Sequence, residues 1–247
     1  ASAASQILGE VQANGRIFLI NSKGIMFGAG SRVDVGGLVA STADISDANF
    51  NSNNFRFDVA GDASAEIIVN GRVTALNAGI ATFVAPRVVN NGVISARLGR
   101  VALAGSSRFT LDLAGDGLIN FAAGDGVSSG EGESSVTVGA AGKILANSGE
   151  IYLSAQDARA VVNAAVRVDG LVSASNSIRN ADGSVTLGNG QGGTVNANSQ
   201  GLASVTGTPS VTGAIEAVGA NGGTISIQAR AISQGGTVAA NGLNQGG

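Results

Sequence analysis

Nucleophilic triads, zinc sites and thiol chemistry all draw on His or Cys, and this 247-residue chain has neither. Those classes are excluded at once. Carboxylates remain. Acids gather at Asp112, Asp116, Asp125, Glu131 and Glu133. Such a group offers the oxygen ligands that suit Ca²⁺. No Asp-x-Asp-x-Asp-Gly loop or GGxGxD repeat accompanies it, and a solvated loop accounts for it better. Residues 188–193 read GNGQGG after a short apolar run. A phosphate-cradling loop needs a helix to follow; none does, so this reads as a corner. The net charge is −3 and no basic run occurs, so no nucleic-acid partner is expected. No apolar run approaches the ~18 residues of a membrane span, so no membrane insertion is expected. The sequence assigns no catalytic, cofactor-binding or metal-binding residue and calls for no cofactor. It reads as a non-enzyme.

The elements are easier to read than any chemistry. Over residues 7–42, Ile17, Leu19, Ile25, Phe27, Val33, Val35 and Val39 alternate with polar or small residues, which is strand periodicity. Breaks fall at residues 14–15, 21–24, 28–30 and 36–37, each rich in Gly or Asn, where the chain can turn with positive φ. Hydrophobic residues make up 44% of the chain but aromatics only 4%. Val, Ile, Leu and Ala suit thin stacked layers rather than a bulky core. Glycine is 39 of 247, far above the usual ~7%. The two prolines and the lack of a three-residue period exclude collagen.

A repeat runs down the chain. Gly-x-(Ile/Val)-x-Ala starts at Gly71, Gly92, Gly142, Gly170, Gly193, Gly213 and Gly236, at intervals of 21, 50, 28, 23, 20 and 23 residues. A second glycine-led strand follows each copy but the last, at Gly79, Gly99, Gly149, Gly183, Gly201 and Gly223. This is the period of a β-solenoid coil, whose inward face is buried only by its neighbours. Val73 should lie over Ile94 and Ala75 over Ala96, with Val73, Ile94, Ile144, Val172, Val195, Ile215 and Val238 all lining the lumen. Asn side chains at the Asn-Gly corners should bond up the stack. At ~22 residues and ~4.8 Å per coil, the rod would have ~9–10 coils.

Two segments break the period, about 43–66 and 106–140. The first is polar but carries Phe50, Phe55 and Phe57, which should pack back on the solenoid flank. The second contains FTLDLAGDGLINFAAG, a β-hairpin turned at residues 114–117. Phe18, Phe27, Phe83, Phe109 and Phe121 are expected as core stackers.

The run ANGRIFLINSKGIMFG, followed by VGGLVAST, resembles the haemagglutination-activity domain of two-partner-secretion exoproteins, the filamentous haemagglutinin family. That family carries an Asn-Pro-Asn-Gly-Ile turn here; this chain has Asn21, Ser22, Lys23, Gly24 and Ile25. Three of the five match. The family's second signature turn, Asn-Pro-Asn-Leu, belongs upstream of Ala1, so the sequence is read as one β-helical domain, 1–247, from a longer chain. The resemblance implies an all-β, right-handed parallel β-helix with extra-helical excursions. It implies a secreted, bacterial cell-surface exoprotein that is structural or adhesive. Its partner would be an outer-membrane transporter that reads the Asn21, Ser22, Lys23, Gly24, Ile25 corner. Host or bacterial surfaces, glycans and end-to-end copies of itself are further partners on this reading. Absence of Cys fits passage through a pore unfolded. At the corner, Gly24 should have positive φ, Ile25 should point inward beneath Ile17 or Leu19, and Asn21→Ala should leave most packing intact. A self-assembling fibre is the main alternative, and a polysaccharide-processing β-helix a lesser one.

Ile94→Asp would set an unpaired carboxylate among apolar layers, at a cost of several kcal/mol. The variant should fail to fold or melt far below the parent by circular dichroism; an unchanged melt would place Ile94 outside the lumen.

Overall fold

The computed structural model describes residues 2–76, 78–112, 119–121, 135–155, 164–175, 177–179, 185–187, 193–205 and 213–242. They form a parallel β-helix, a nineteen-stranded sheet that coils on itself. Each coil has three faces. On the first lie Ser5–Ile7, Ile25–Phe27, Glu66–Val69, Arg87–Asn90, Val136–Val138 and Ala164–Val168. The second holds Arg72–Ala75, Val93–Ala96, Lys143–Leu145, Leu171–Ser173, Ala214–Glu216 and Thr237–Ala239. The third holds Ile80–Ala85, Arg100–Gly105 and Glu150–Ala155. Longer strands bend around a corner. Glu10–Ile20 and Arg32–Ser41 serve faces two and three; Thr194–Val205 and Thr224–Gln234 run from face three to face one. Every pairing between coils is parallel and joins immediate neighbours.

Among the described residues seven coils complete all three faces and an eighth contributes two, fewer than the ~9–10 expected. The excursions account for the difference, because they take chain out of the stack.

The lumen follows the repeat. Val11, Val33, Val73, Ile94, Ile144, Val172, Ile215 and Val238 form one column. From Val33 to Ile215 these side chains are buried. Val195 is equally buried but stands in the face-three column between Ile151 and Ile225. The GTVNA copy at Gly193 is therefore in phase with the second strand of the repeat, not the first. The strand expected after Gly183 leaves the solenoid: Val185–Leu187 pairs antiparallel with Ser177–Arg179. Phe27 and Phe83 meet edge to face in the lumen, centroids 6.0 Å apart. A buried amide interrupts one lumen column. Asn90 is fully buried between Val69 and Val138; its Nδ2 donates to the Lys143 carbonyl at 3.1 Å and its Oδ1 accepts from Gly92 N–H at 3.2 Å. At the adjacent corner Asn91 Nδ2 donates to Asn70 Oδ1 at 3.1 Å, the expected amide ladder.

The glycines do a different job from the one expected. Among the described glycines only Gly24 and Gly222 have positive φ. The repeat glycines are needed because coils approach too closely for a methyl group. A Cβ on Gly92 would strike the Gly71 carbonyl, and one on Gly99 or Gly149 the carbonyl of the glycine one coil before. Positive φ falls one residue earlier, on Ala78, Leu98 and Ser148.

The excursions meet each other. The first holds a short helix, Asp47–Asn51, capped by Ser46, which its polar composition did not reveal. It then forms Arg56–Phe57, which pairs antiparallel with Phe109–Leu111; that strand pairs in turn with Ile119–Phe121. The expected hairpin is therefore present, while its turn lies outside the described residues. Phe57 and Phe109 are buried and stacked, 4.3 Å apart. Phe50 and Phe55 pack on Phe18, at 5.1 and 5.3 Å. Phe50 keeps 41% of its surface exposed. These rings cover a second core on the outside of face three, built on Val39, Val84 and Ala104. Phe27, Phe83 and Phe109 are core residues as expected, Phe18 serves this outer core, and the Phe121 side chain lies outside the described residues.

Leu98 and Gly99 give opposite expectations. Leu98 is half exposed at φ 55°, so Leu98→Gly should be neutral or stabilising by up to ~1 kcal/mol. Gly99→Ala should destabilise by ~2 kcal/mol or more, since two backbones must part. Urea midpoints of the two variants check the contrast.

Candidate functional site

The 21–25 corner turns the chain from face three of the first coil into face one of the second. Gly24 N–H donates to the Asn21 carbonyl at 3.0 Å, closing a β-turn. Inside it, Asn21 Oδ1 accepts from Lys23 N–H at 2.9 Å, an Asx turn. The other half of the amide reaches back a coil: Nδ2 donates to the Ala3 carbonyl at 3.0 Å and to Ser5 Oγ at 2.9 Å. Asn21 N–H donates to the Ser41 carbonyl in the coil ahead. One side chain thus joins the turn to the preceding coil while its backbone joins it to the following one, and Asn21 is buried.

Gly24 has φ 117°, in the region open to glycine. A Cβ there would lie 2.8 Å from the Glu66 carbonyl oxygen. Ile25 is 1% exposed and faces the lumen. It stacks between Ser5 and Ile67 rather than beneath Ile17 or Leu19. Those two lie on face three, over Leu38 and Ala40; the corner separates the faces. The end of the first excursion braces the turn from outside. Asp62 N–H donates to the Ser22 carbonyl at 2.9 Å, and Lys23 Nζ pairs with Asp62 Oδ2 at 2.8 Å. Of the five residues, Asn21, Gly24 and Ile25 are buried, Ser22 is partly exposed and Lys23 is exposed.

Asn21→Ala is therefore not the mild change the sequence suggested. It removes three hydrogen bonds from a buried amide.

The remaining candidates lie almost wholly outside the described residues. Asp112 follows the Phe109–Leu111 strand, and Asp116, Asp125, Glu131 and Glu133 lie outside the described residues, as do residues 188–192 of the GNGQGG corner. Among the described residues no three acids converge as a metal site, and no helix is long and apolar enough to cross a membrane. Two ion pairs join adjacent coils, Arg87–Glu66 and Arg100–Glu150, at 2.6 Å each. Arg32 bonds Asp34 on its own strand and holds that carboxyl below its usual range. The inter-coil pairs were missed in the sequence, although matching the glycine-led strands at Gly99 and Gly149 sets Arg100 over Glu150.

A family model described as the TPS secretion domain matches residues 1–205. A heme/hemopexin-binding protein of Haemophilus influenzae is 41% identical over 54 residues, which is 22% of this chain and 6% of that protein. Its counterpart from strain Rd is 30% identical over 118 residues, 44% of this chain and 13% of that protein. The chain thus spans a small part of the curated relatives it matches. The crystal structure of the HMW1 secretion domain from Haemophilus influenzae superposes with a TM-score of 0.63 at 24% identity, over 92% of this chain and 64% of that one. That likeness concerns the fold.

Gly24→Val should lower stability by ~2 kcal/mol or more, through positive φ on a β-branched residue and the clash with Glu66. Asn21→Ala should cost ~1–3 kcal/mol, and Lys23→Ala under ~1 kcal/mol because its ion pair is exposed. Thermal melts of the three should fall in that order of severity, with Lys23→Ala nearest the parent.

Proposed function

The chain belongs to the TPS secretion domain family, and on that premise we propose that its folding outside the cell is coupled to passage through a partner outer-membrane transporter. A chain of this family is part of a secreted two-partner exoprotein. The observation that carries the proposal is the pairing pattern. Among the described residues every solenoid strand pairs only with strands of the coils before and after it. A segment emerging end first can therefore add coil upon coil, each templated by the last.

On this reading the 21–25 corner is read by the transporter before it folds. Its burial supports that order: once Asn21, Gly24 and Ile25 are inside, only Lys23 and part of Ser22 face a partner. The domain itself acts as a non-catalytic starter, and the adhesive or structural work belongs to the exoprotein as a whole at the cell surface. Heme and hemopexin binding is named for the curated relatives as whole proteins, of which this chain spans 6% and 13%.

Restoring the family turn separates recognition from stability. Ser22 occupies the second position of the turn, where proline is favoured, and the Lys23 ion pair is exposed. Ser22→Pro with Lys23→Asn should raise secreted yield from cells carrying the transporter, with the melting temperature of purified protein within a few degrees of the parent. An unchanged yield would leave the corner a purely structural feature.

A further inference from the structure

The Arg56–Phe57 strand of the first excursion has one strand partner among the described residues, and it comes from the second excursion. Phe109 lies opposite Phe57 and Thr110 opposite Arg56. Leu111 N–H donates to the Phe55 carbonyl at 2.9 Å. Between the two strands in sequence lie two whole coils. Beneath them lies the outer side of face three: Val39 and Ser41 from the second coil, Thr82 and Val84 from the third, Ala102 and Ala104 from the fourth. All six are buried. In these coils face three is covered on both sides, and neighbouring coils provide only the inner cover. In the fifth coil the same columns hold Tyr152 and Ser154, both partly exposed. The outer cover stops there.

We infer that the two excursions form a clasp that makes the second, third and fourth coils one cooperative unit, closed only when the second excursion reaches the first. Until Phe109 arrives, Phe57 has no strand to pair with, and the outer core over Val39 and Val84 lacks the share that Phe109 and Leu111 supply. Nearest-neighbour stacking alone lets a solenoid gain and lose coils one at a time. The clasp ties non-adjacent chain across the side of the stack, so these coils open together or stay shut. For export, which rests on the reading above, closure marks a point of no return. Before it, emerged coils can unravel; after it, they are locked outside.

The chain has no Cys, so Arg56→Cys with Thr110→Cys supplies a single reversible staple across the clasp. Both positions are at least partly exposed, and free thiol titration reports whether the staple forms. Hydrogen exchange is then read on the purified full chain, oxidised and reduced. Oxidation should slow exchange about tenfold or more in Arg32–Ser41, Ile80–Ala85 and Arg100–Gly105, together with the clasp strands. Exchange in Thr224–Gln234 and Thr237–Ala239 should not change. Phe109→Leu, which removes the ring stack but keeps an apolar side chain, should speed exchange in the same three strands. Slowing confined to residues 56–57 and 109–111 would overturn the inference, because the cover would then be a local addition. Equal slowing through the last coil would overturn it too, since the unit would be the whole rod. A pair that stays reduced under oxidant would show the strands are not neighbours. No transporter is present in these measurements. Their failure leaves the export reading standing, and a failed secretion assay leaves the clasp standing.

Discussion

One constraint shapes this molecule: each coil must lie a strand's width, ~4.8 Å, from the next, backbone against backbone, over the whole rod. At that distance there is no room for a side chain wherever two corners stack directly. This is why Gly71, Gly92 and Gly142 recur on one corner and Gly79, Gly99, Gly149 and Gly193 on the other. The same constraint aligns inward residues into columns, so a column holds what its neighbours leave room for. Ala40, Phe83 and Leu103 follow one another on face three, and the ring of Phe83 fills the space above Ala40. Ion pairs such as Arg100 with Glu150 obey it as well, being residues directly opposite across a coil boundary.

What could be read from sequence was whatever repeats. The column from Val73 through Ile94 and Ile144 to Val238 was legible because its Gly-x-Φ-x-Ala frame recurs with few changes. The frame also misled. GTVNA at Gly193 has the same five-residue form but sits on face three, since the form reports a glycine corner and an inward apolar residue, and two corners of each coil supply both. Positive φ was assigned to the glycines because that is their commonest use in turns. The stack needed their missing side chain instead, and the strained backbone fell on Ala78, Leu98 and Ser148. Nothing in a leucine announces that.

The outer core was half legible. The aromatics of the 43–66 segment pointed to packing on the flank, but not to which flank. The signal was present in the strands: IATFVA and VALAG are continuous apolar runs, where a one-sided strand would alternate. Continuous runs at residues 80–85 and 101–105 state that face three is covered on both sides. At the 21–25 corner, Gly24 and Ile25 behaved as their types suggest. The role of Asn21 was not visible, because its partners Ala3 and Ser5 lie a full coil away and carry no pattern of their own.

Asn90 has a consequence for how the stack is counted. Parallel coils with interchangeable Val and Ile layers are nearly degenerate: a coil set down one layer too far, or one residue out of phase, still finds apolar neighbours. A single inward amide removes that degeneracy. In the native pairing Asn90 spends its amide on the Lys143 carbonyl and on Gly92 N–H; the Gly92 bond lies within its own corner, but in a coil set down out of phase the buried Nδ2 would lose the Lys143 carbonyl, at a cost of ~1–3 kcal/mol. The mark falls on the last coil before the second excursion, where the most residues intervene before the next solenoid strand and where the phase of the stack is easiest to lose. A buried Asn fixes the alignment of helices in a coiled coil by the same penalty. Here it acts as an index notch, telling the fifth coil which layer it must follow.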